Sequence, residues 1–229
     1  SIITTINDNK NIQSFSLNLD KLNLNGKKLD TVLDAFSTPI GNKNKKKSKK
    51  QKKESEEDEK DENNDDFCLK WTKLSFASNS LDENDLDNLI NKLSNLQNLA
   101  EINLNDNFNS QMSDIDSILC RLLEFENIVS ISIAGSKNNR LKSKLIPLLE
   151  AIADYKNIQK LDIRNNDLND IPSITRIFKK CKNLSAFRID NNGFSDFNEI
   201  ISAITKTENL IELNFPLNDC KRLLKNNDI

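Results

Sequence analysis

The sequence predicts an α/β solenoid of about seven stacked strand–helix units. One observation is an eleven-residue pattern that recurs six times, with apolar residues at the first, fourth, sixth and mostly the eleventh places and a polar residue, usually asparagine, at the ninth. A second is that apolar residues at helical spacing follow five of the six occurrences, so a strand is succeeded by an amphipathic helix. The third is the period. First places at Trp71, Leu99, Ile128, Ile158, Leu184 and Leu210 lie 28, 29, 30, 26 and 26 residues apart. A unit of that size buries its apolar face only against its neighbours, which makes the molecule quasi-one-dimensional.

Residues 158–168 carry the pattern in its fullest form. Ile158, Leu161, Ile163 and Leu168 hold the apolar places and Asn166 the ninth, in the order L-x-x-L-x-L-x-x-N-x-L. Residues 1–18 are polar and poorly periodic, and are expected to form an N-terminal cap or a degenerate repeat in which Ile12, Phe15 and Leu17 begin a strand. The first full copy is expected at Leu19, Leu22 and Leu24, with Lys27 in the ninth place and a helix carrying Val32, Leu33 and Phe36. The repeat domain then extends over 19–225, and 226–229 form a tail.

One segment breaks the pattern. Residues 43–53 hold eight lysines, and residues 54–66 hold nine carboxylates and one lysine. With almost no apolar side chain to bury, the segment does not offset the entropy of ordering it, so 43–66 is expected to be a disordered insertion. Removing those 24 residues from the 52 that separate Leu19 and Trp71 leaves 28, the period found downstream. The lysine tract resembles a nuclear-localisation or polyanion-binding tract, and the acidic block beside it is nearly equal in charge. Ser55, followed by Glu56, Glu57 and Asp58, is a candidate phosphorylation site, where added charge would strengthen pairing with the lysines.

The repeats resemble the ribonuclease-inhibitor-like subtype of leucine-rich repeat proteins, over residues 19–225 apart from the insertion. That resemblance implies parallel strands inside a horseshoe and helices outside it. The curtailed last copy, Leu213-Asn-Phe-Pro216-Leu-Asn-Asp219, is similar to repeats of the actin-assembly regulators of the CARMIL and tropomodulin type, and carries over no individual binding residue.

Within such a repeat the apolar places point inward. The ninth-place residues Asn79, Asn107, Asn166, Asn192 and Asn218 fall where strand turns to helix. An amide both donates and accepts, so a column of them is expected to satisfy interior backbone groups between adjacent copies. Ser136 stands in that place in one copy. Alternate strand positions face the other way and carpet the concave surface. The middle copies place small polar residues there, whereas the later ones gather Lys160, Asp162, Arg164, Arg188, Asp190 and Glu212. Arginine's rigid fork suits carboxylates, so this cluster is the candidate partner site.

Other chemistry is excluded residue by residue. Without a histidine there is no Ser-His or Cys-His nucleophile, and the four glycines form no phosphate-binding loop. Cys68, Cys120, Cys181 and Cys220 lack C-x-x-C spacing, so no metal site is expected, and free, buried thiols fit a reducing intracellular compartment. The 33 basic and 35 acidic residues give a net charge of −2 and no overall pull toward nucleic acid. No run of about 18 apolar residues offers a membrane span. No catalytic residue, cofactor or small-molecule substrate is therefore expected. The expected function is an intracellular scaffold, cytoplasmic or nuclear, a monomer or part of a larger assembly, that binds a protein partner by its concave face. The alternatives are a regulator of a small GTPase, resembling the Ran GTPase-activating proteins in repeat type alone, and a nuclear adaptor using the lysine tract.

Overall fold

The computed structural model describes residues 14–37 and 71–226. Seven parallel strands form one open sheet in chain order. They are β1 (Phe15–Asn18), β2 (Trp71–Ser75), β3 (Glu101–Asn103), β4 (Ser130–Ser132), β5 (Lys160–Asp162), β6 (Ala186–Arg188) and β7 (Glu212–Asn214). Helices follow them in turn: α1 (Lys27–Ser37), α2 (Glu83–Leu93), α3 (Ile115–Cys120), α4 (Ile146–Asp154), α5 (Ile171–Lys180), α6 (Asn198–Ile204) and α7 (Leu217–Asn226). A 3-10 turn, Arg121–Glu124, extends α3, and another, Lys142–Leu145, leads into α4. Parallel neighbours need a crossover, and here the crossover is the helix. The molecule is an α/β leucine-rich repeat solenoid.

The sheet is short in the strand direction because each strand contributes little more than one inward residue. Leu17, Leu74, Ile102, Ile131, Leu161, Phe187 and Leu213 pair in register as one continuous column. Leu104, Ile133, Ile163 and Ile189, and the helical Leu89, Ile118, Leu149, Ile177 and Ile200, close the core behind it. Two of the helices begin at side-chain caps. Asp82 and Asp85 form a reciprocal capping box on α2. Asp170 caps α5 at Ser173 N, Pro172 sits in its first turn, and Lys179 and Lys180 occupy its last.

The first copy departs from the expected register by five residues. β1 is Phe15–Asn18, and Leu17, not Leu22, pairs with Leu74. Leu19 N donates to Ser75 O, as Phe76 N does to Asn103 O one copy later, so Leu19 holds the sixth place. Leu22 then falls in the ninth place, where it is 54% exposed, and Leu24 in the eleventh, where it is buried. Lys27 opens α1 instead of closing the strand turn. The physical reason is that Leu22 N and Leu24 N both donate to Asn79 Oδ1, as Asn79 N and Leu81 N do to Asn107 Oδ1 one copy later, which fixes these two residues in the turn. The corrected offset, 57 residues from Leu17 to Leu74, leaves 33 once the 24-residue segment is set aside, five more than the downstream period. Trp71 joins the two copies, meeting Phe15 and Phe36 edge-on with ring centroids 5.1 and 4.8 Å apart. The segment 43–66, Ser55 and Cys68 lie outside the described residues.

Of the cysteines within the described residues, Cys181 is buried and Cys120 and Cys220 are half-buried. The Cys181 thiol donates to Ile152 O at 3.4 Å. Burial, reinforced by Asp154, pushes this thiol up to about 11, against an ordinary value of about 8.5. The thiolate is the reactive form, so at pH 8 native Cys181 is expected to resist alkylation that labels it readily in denaturant, as read by mass spectrometry. The register makes a second prediction. Leu161→Ala is expected to cost about 2–5 kcal/mol in denaturant unfolding, whereas Leu22→Ala should stay within about 0.5 kcal/mol. A large loss at Leu22 would restore the original register.

Candidate functional site

A column of buried amides fixes the strands before any concave side chain is placed. Asn107 Oδ1 accepts from Asn79 N at 2.8 Å and Leu81 N at 3.5 Å, while its Nδ2 donates to Phe76 O at 2.8 Å and Leu104 O at 3.1 Å. Asn79 does the same for Leu22 N, Leu24 N, Leu19 O and Phe76 O. Asn192 serves Asn166 N, Ile163 O and Ile189 O. Each amide thus joins its own copy to the one before it. In the copy with Ser136 the turn is longer, and Asn139 Nδ2 reaches back to Asp106 O at 3.2 Å. Gly135 is required there, because a Cβ would collide with the backbone oxygens of Asn139 and Asn165.

Asn218 does not belong to this column. It is exposed, and its N–H and Nδ2 both donate to the Asp190 carboxylate. Asp219 takes the place instead, buried to 1%, accepting from Asn192 N at 3.0 Å and Gly193 N at 2.9 Å and pairing with Arg222 at 3.2 Å. Because α7 starts at Leu217, counting places from Leu210 lands one residue short of the inward-facing side chain. A second set of acceptors also escaped the spacing argument. Asp20 accepts from Ala77 N at 2.7 Å and Asn105 accepts from Ala134 N at 2.6 Å, each one copy ahead. Asp190 matches them in position and in accepting from the next copy's backbone, so it acts inside the stack.

The remaining candidates meet on the bare face of the sheet. Asp162 is only 6% exposed. Arg164 closes its fork on that carboxylate, with Nε–Oδ1 at 2.9 Å and Nη2–Oδ2 at 2.7 Å. Arg188 Nη1 comes within 3.8 Å of the same group, and its Nε donates to Glu212 Oε1 at 2.7 Å. Lys160 turns the other way. It shares Glu101 with Lys73, at 3.6 and 2.9 Å. The cluster predicted as one group is therefore two networks, and each arginine already has a carboxylate of this chain. The hydrogen bond to Asp162 pushes the Arg164 guanidinium further up, and the bond and charge of Arg188 hold the exposed Glu212 carboxyl below its usual range.

Toward the N-terminal end the face opens into a 310 Å³ trough whose lining combines small polar residues, among them Ser16, Ser75, Asn103, Ser130 and Ser132, with the Lys73–Glu101 ion pair. With the corrected register the first copy contributes Ser16, Asn18 and Asp20 to this face, and Lys21 and Asn23 occupy the turn with positive φ. Among the described residues no group of side chains is arranged to hold a metal ion, and no helix is long and apolar enough to cross a membrane.

The fold is similar to that of a solved structure. The C-terminal domain of tropomodulin from Caenorhabditis elegans is similar to this chain with a TM-score of 0.52 at 12% identity, over 79% of this chain and 89% of that one. An internalin of Listeria monocytogenes gives a TM-score of 0.41 at 21% identity, over 65% of this chain and 53% of that one. A leucine-rich repeat protein of Leptospira interrogans gives 0.39 at 20% identity, over 66% and 33%. No family model and no curated protein matches the sequence.

The Arg188–Glu212 bond has a pH signature. A carboxyl whose folded pKa is depressed contributes stability above its unfolded value, about 4.3 for glutamate, and loses it as pH falls through the folded value. An NMR titration should therefore place the Glu212 midpoint below about 4.3, and Arg188→Gln should return it toward that value. An unshifted midpoint in the wild type would mean that the pair does not form in solution. Asp219→Ala, which strands two interior N–H groups, is expected to cost about 1–3 kcal/mol in denaturant unfolding.

Proposed function

We propose that this chain is a protein-interaction module that binds a protein partner through the concave face of its sheet. One observation supports the reading above the others. The exposed face of seven in-register strands carries a trough of small polar residues beside fixed charges that are held in place but not covered. Small side chains leave room for a partner's larger ones, and pre-paired charges lose little entropy when they are engaged. In this reading Lys160, Arg188 and Glu212 touch the partner, while Asp162, itself braced by Arg164, holds Arg188 in position and Asp190 braces the last copy. Such charges set orientation and encounter rate more than raw affinity. The fold-level similarity to tropomodulin fits a binding scaffold and transfers no residue.

The test is affinity capture from native cells with the wild-type chain and two variants, followed by mass spectrometry. Lys160→Glu with Arg188→Glu is expected to lose the captured proteins with a modest fall in melting temperature, because Arg164 still satisfies Asp162. Lys179→Glu, on the last turn of α5, should retain them. An unchanged set of proteins on the concave variant rejects this face as the binding surface. Arg164 is left intact because its fork satisfies the buried Asp162, and reversing it would test folding rather than binding.

A further inference from the structure

A second surface lies along the rim where strands turn into helices, away from the concave face. Two cavities, of 370 and 600 Å³, adjoin there and share Lys137, Arg140 and Asp167. The first reaches back to Asn109, and the second runs forward past Asn165 and Asn191 to Arg222. Together they cross the turns that follow five consecutive strands, β3 to β7. At about 4.8 Å per strand that is a groove of roughly 20 Å, the span of about six residues of extended peptide.

The groove is cationic in a chain whose net charge is −2. Lys137 and Lys142 are exposed and make no ion pair among the described residues. Arg140 anchors through Nε to Ser136 O at 3.1 Å and only approaches Asp167, at 3.8 Å, which leaves most of its fork toward the cavity. Asp219 is already occupied by two backbone N–H groups and Arg222. Asn191 Nδ2 donates to Asn165 Oδ1 at 2.9 Å, so the amide N–H groups of Asn165 and the carbonyl of Asn191 remain for a ligand. That combination of donor and acceptor, one copy apart, suits the backbone of a chain running across the stack.

We propose that this rim groove binds a linear acidic peptide, its anions paired with Lys137, Arg140 and Lys142 and its backbone met by Asn165 and Asn191. The anions are phosphates or carboxylates, which both guanidinium and ammonium groups bind. A single-stranded nucleic acid fits less well. The groove lining has no aromatic ring on which a base could stack, and it contains carboxylates that a continuous polyanion would have to pass.

Fluorescence anisotropy on the full chain tests this with four probes: a short peptide alternating phosphoserine and glutamate, the same peptide with serine, a neutral version, and an oligouridine. Both acidic peptides, or the phosphorylated one alone, are expected to bind in a salt-dependent way, and their ratio tells phosphate from carboxylate recognition. Lys137→Glu with Lys142→Glu, at two exposed positions where the fold should be unaffected, is expected to weaken binding by about tenfold or more. Lys160→Glu with Arg188→Glu on the concave face should leave it unchanged, which separates this site from the partner surface above. The proposal is overturned if neither acidic peptide binds, if the neutral peptide binds equally well, if the rim variant binds like the wild type, or if the oligouridine binds more tightly.

Discussion

Each time the chain leaves the sheet, its turn carries backbone N–H and C=O groups into an interior that water does not enter, and an orphaned group there costs about 1–3 kcal/mol. The stack holds because a side chain from the next copy satisfies them. Asn79, Asn107, Asn166 and Asn192 do so with both ends of the amide, and Asp219 with its carboxylate alone. The apolar columns supply most of the burial, but hydrophobic contact has no direction and would tolerate a slipped register. The amide column would not, since a shift of one residue would put its donors and acceptors out of reach. Register, and with it the alternation of inward and outward side chains, rests on this chain of hydrogen bonds.

The concave face inherits its order from that register. Asp162 is buried because its neighbours in the sheet are fixed beside it, and a buried carboxylate requires a cation. Arg164 and Arg188 meet that need from the same copy and the next. The arginines thus have two jobs, satisfying Asp162 inward and presenting charge outward. This is why Arg188, 44% exposed and hydrogen-bonded to Glu212, is the better probe of binding, and Arg164 the better probe of folding.

Much of this was legible in the residues and some was not, for physical reasons. The period from Trp71 onward could be read because every copy must cover its neighbour, which imposes the same apolar places on each. The first copy was misread because Leu19, Leu22 and Leu24 match the pattern better than Phe15, Leu17 and Leu19 do. The register is set instead by backbone donors that composition does not display, since Leu22 N and Leu24 N both reach Asn79 Oδ1 and leave the Leu22 side chain half exposed. Asn218 was preferred to Asp219 because spacing counts residues, whereas the ladder selects the side chain that points inward once α7 has begun. Residue types placed Lys160, Asp162, Arg164 and Arg188 on one face. Which carboxylate each cation chooses depends on side-chain reach across the strands, and Lys160 reaches back to Glu101 rather than forward to Asp162.

The ladder also gives the solenoid a polarity. Every amide looks after the copy before it, so the two ends of a stack are chemically unequal. Take away a leading copy, and the amide behind it keeps its own-copy bond and turns its freed oxygen to water. Take away a trailing copy, and interior donors of the one left behind lose their acceptor. A repeat array of this kind therefore tolerates growth and loss at its leading end, and is conservative at the other. Duplication or erosion of copies during descent should leave its traces mostly at the leading end of such a stack.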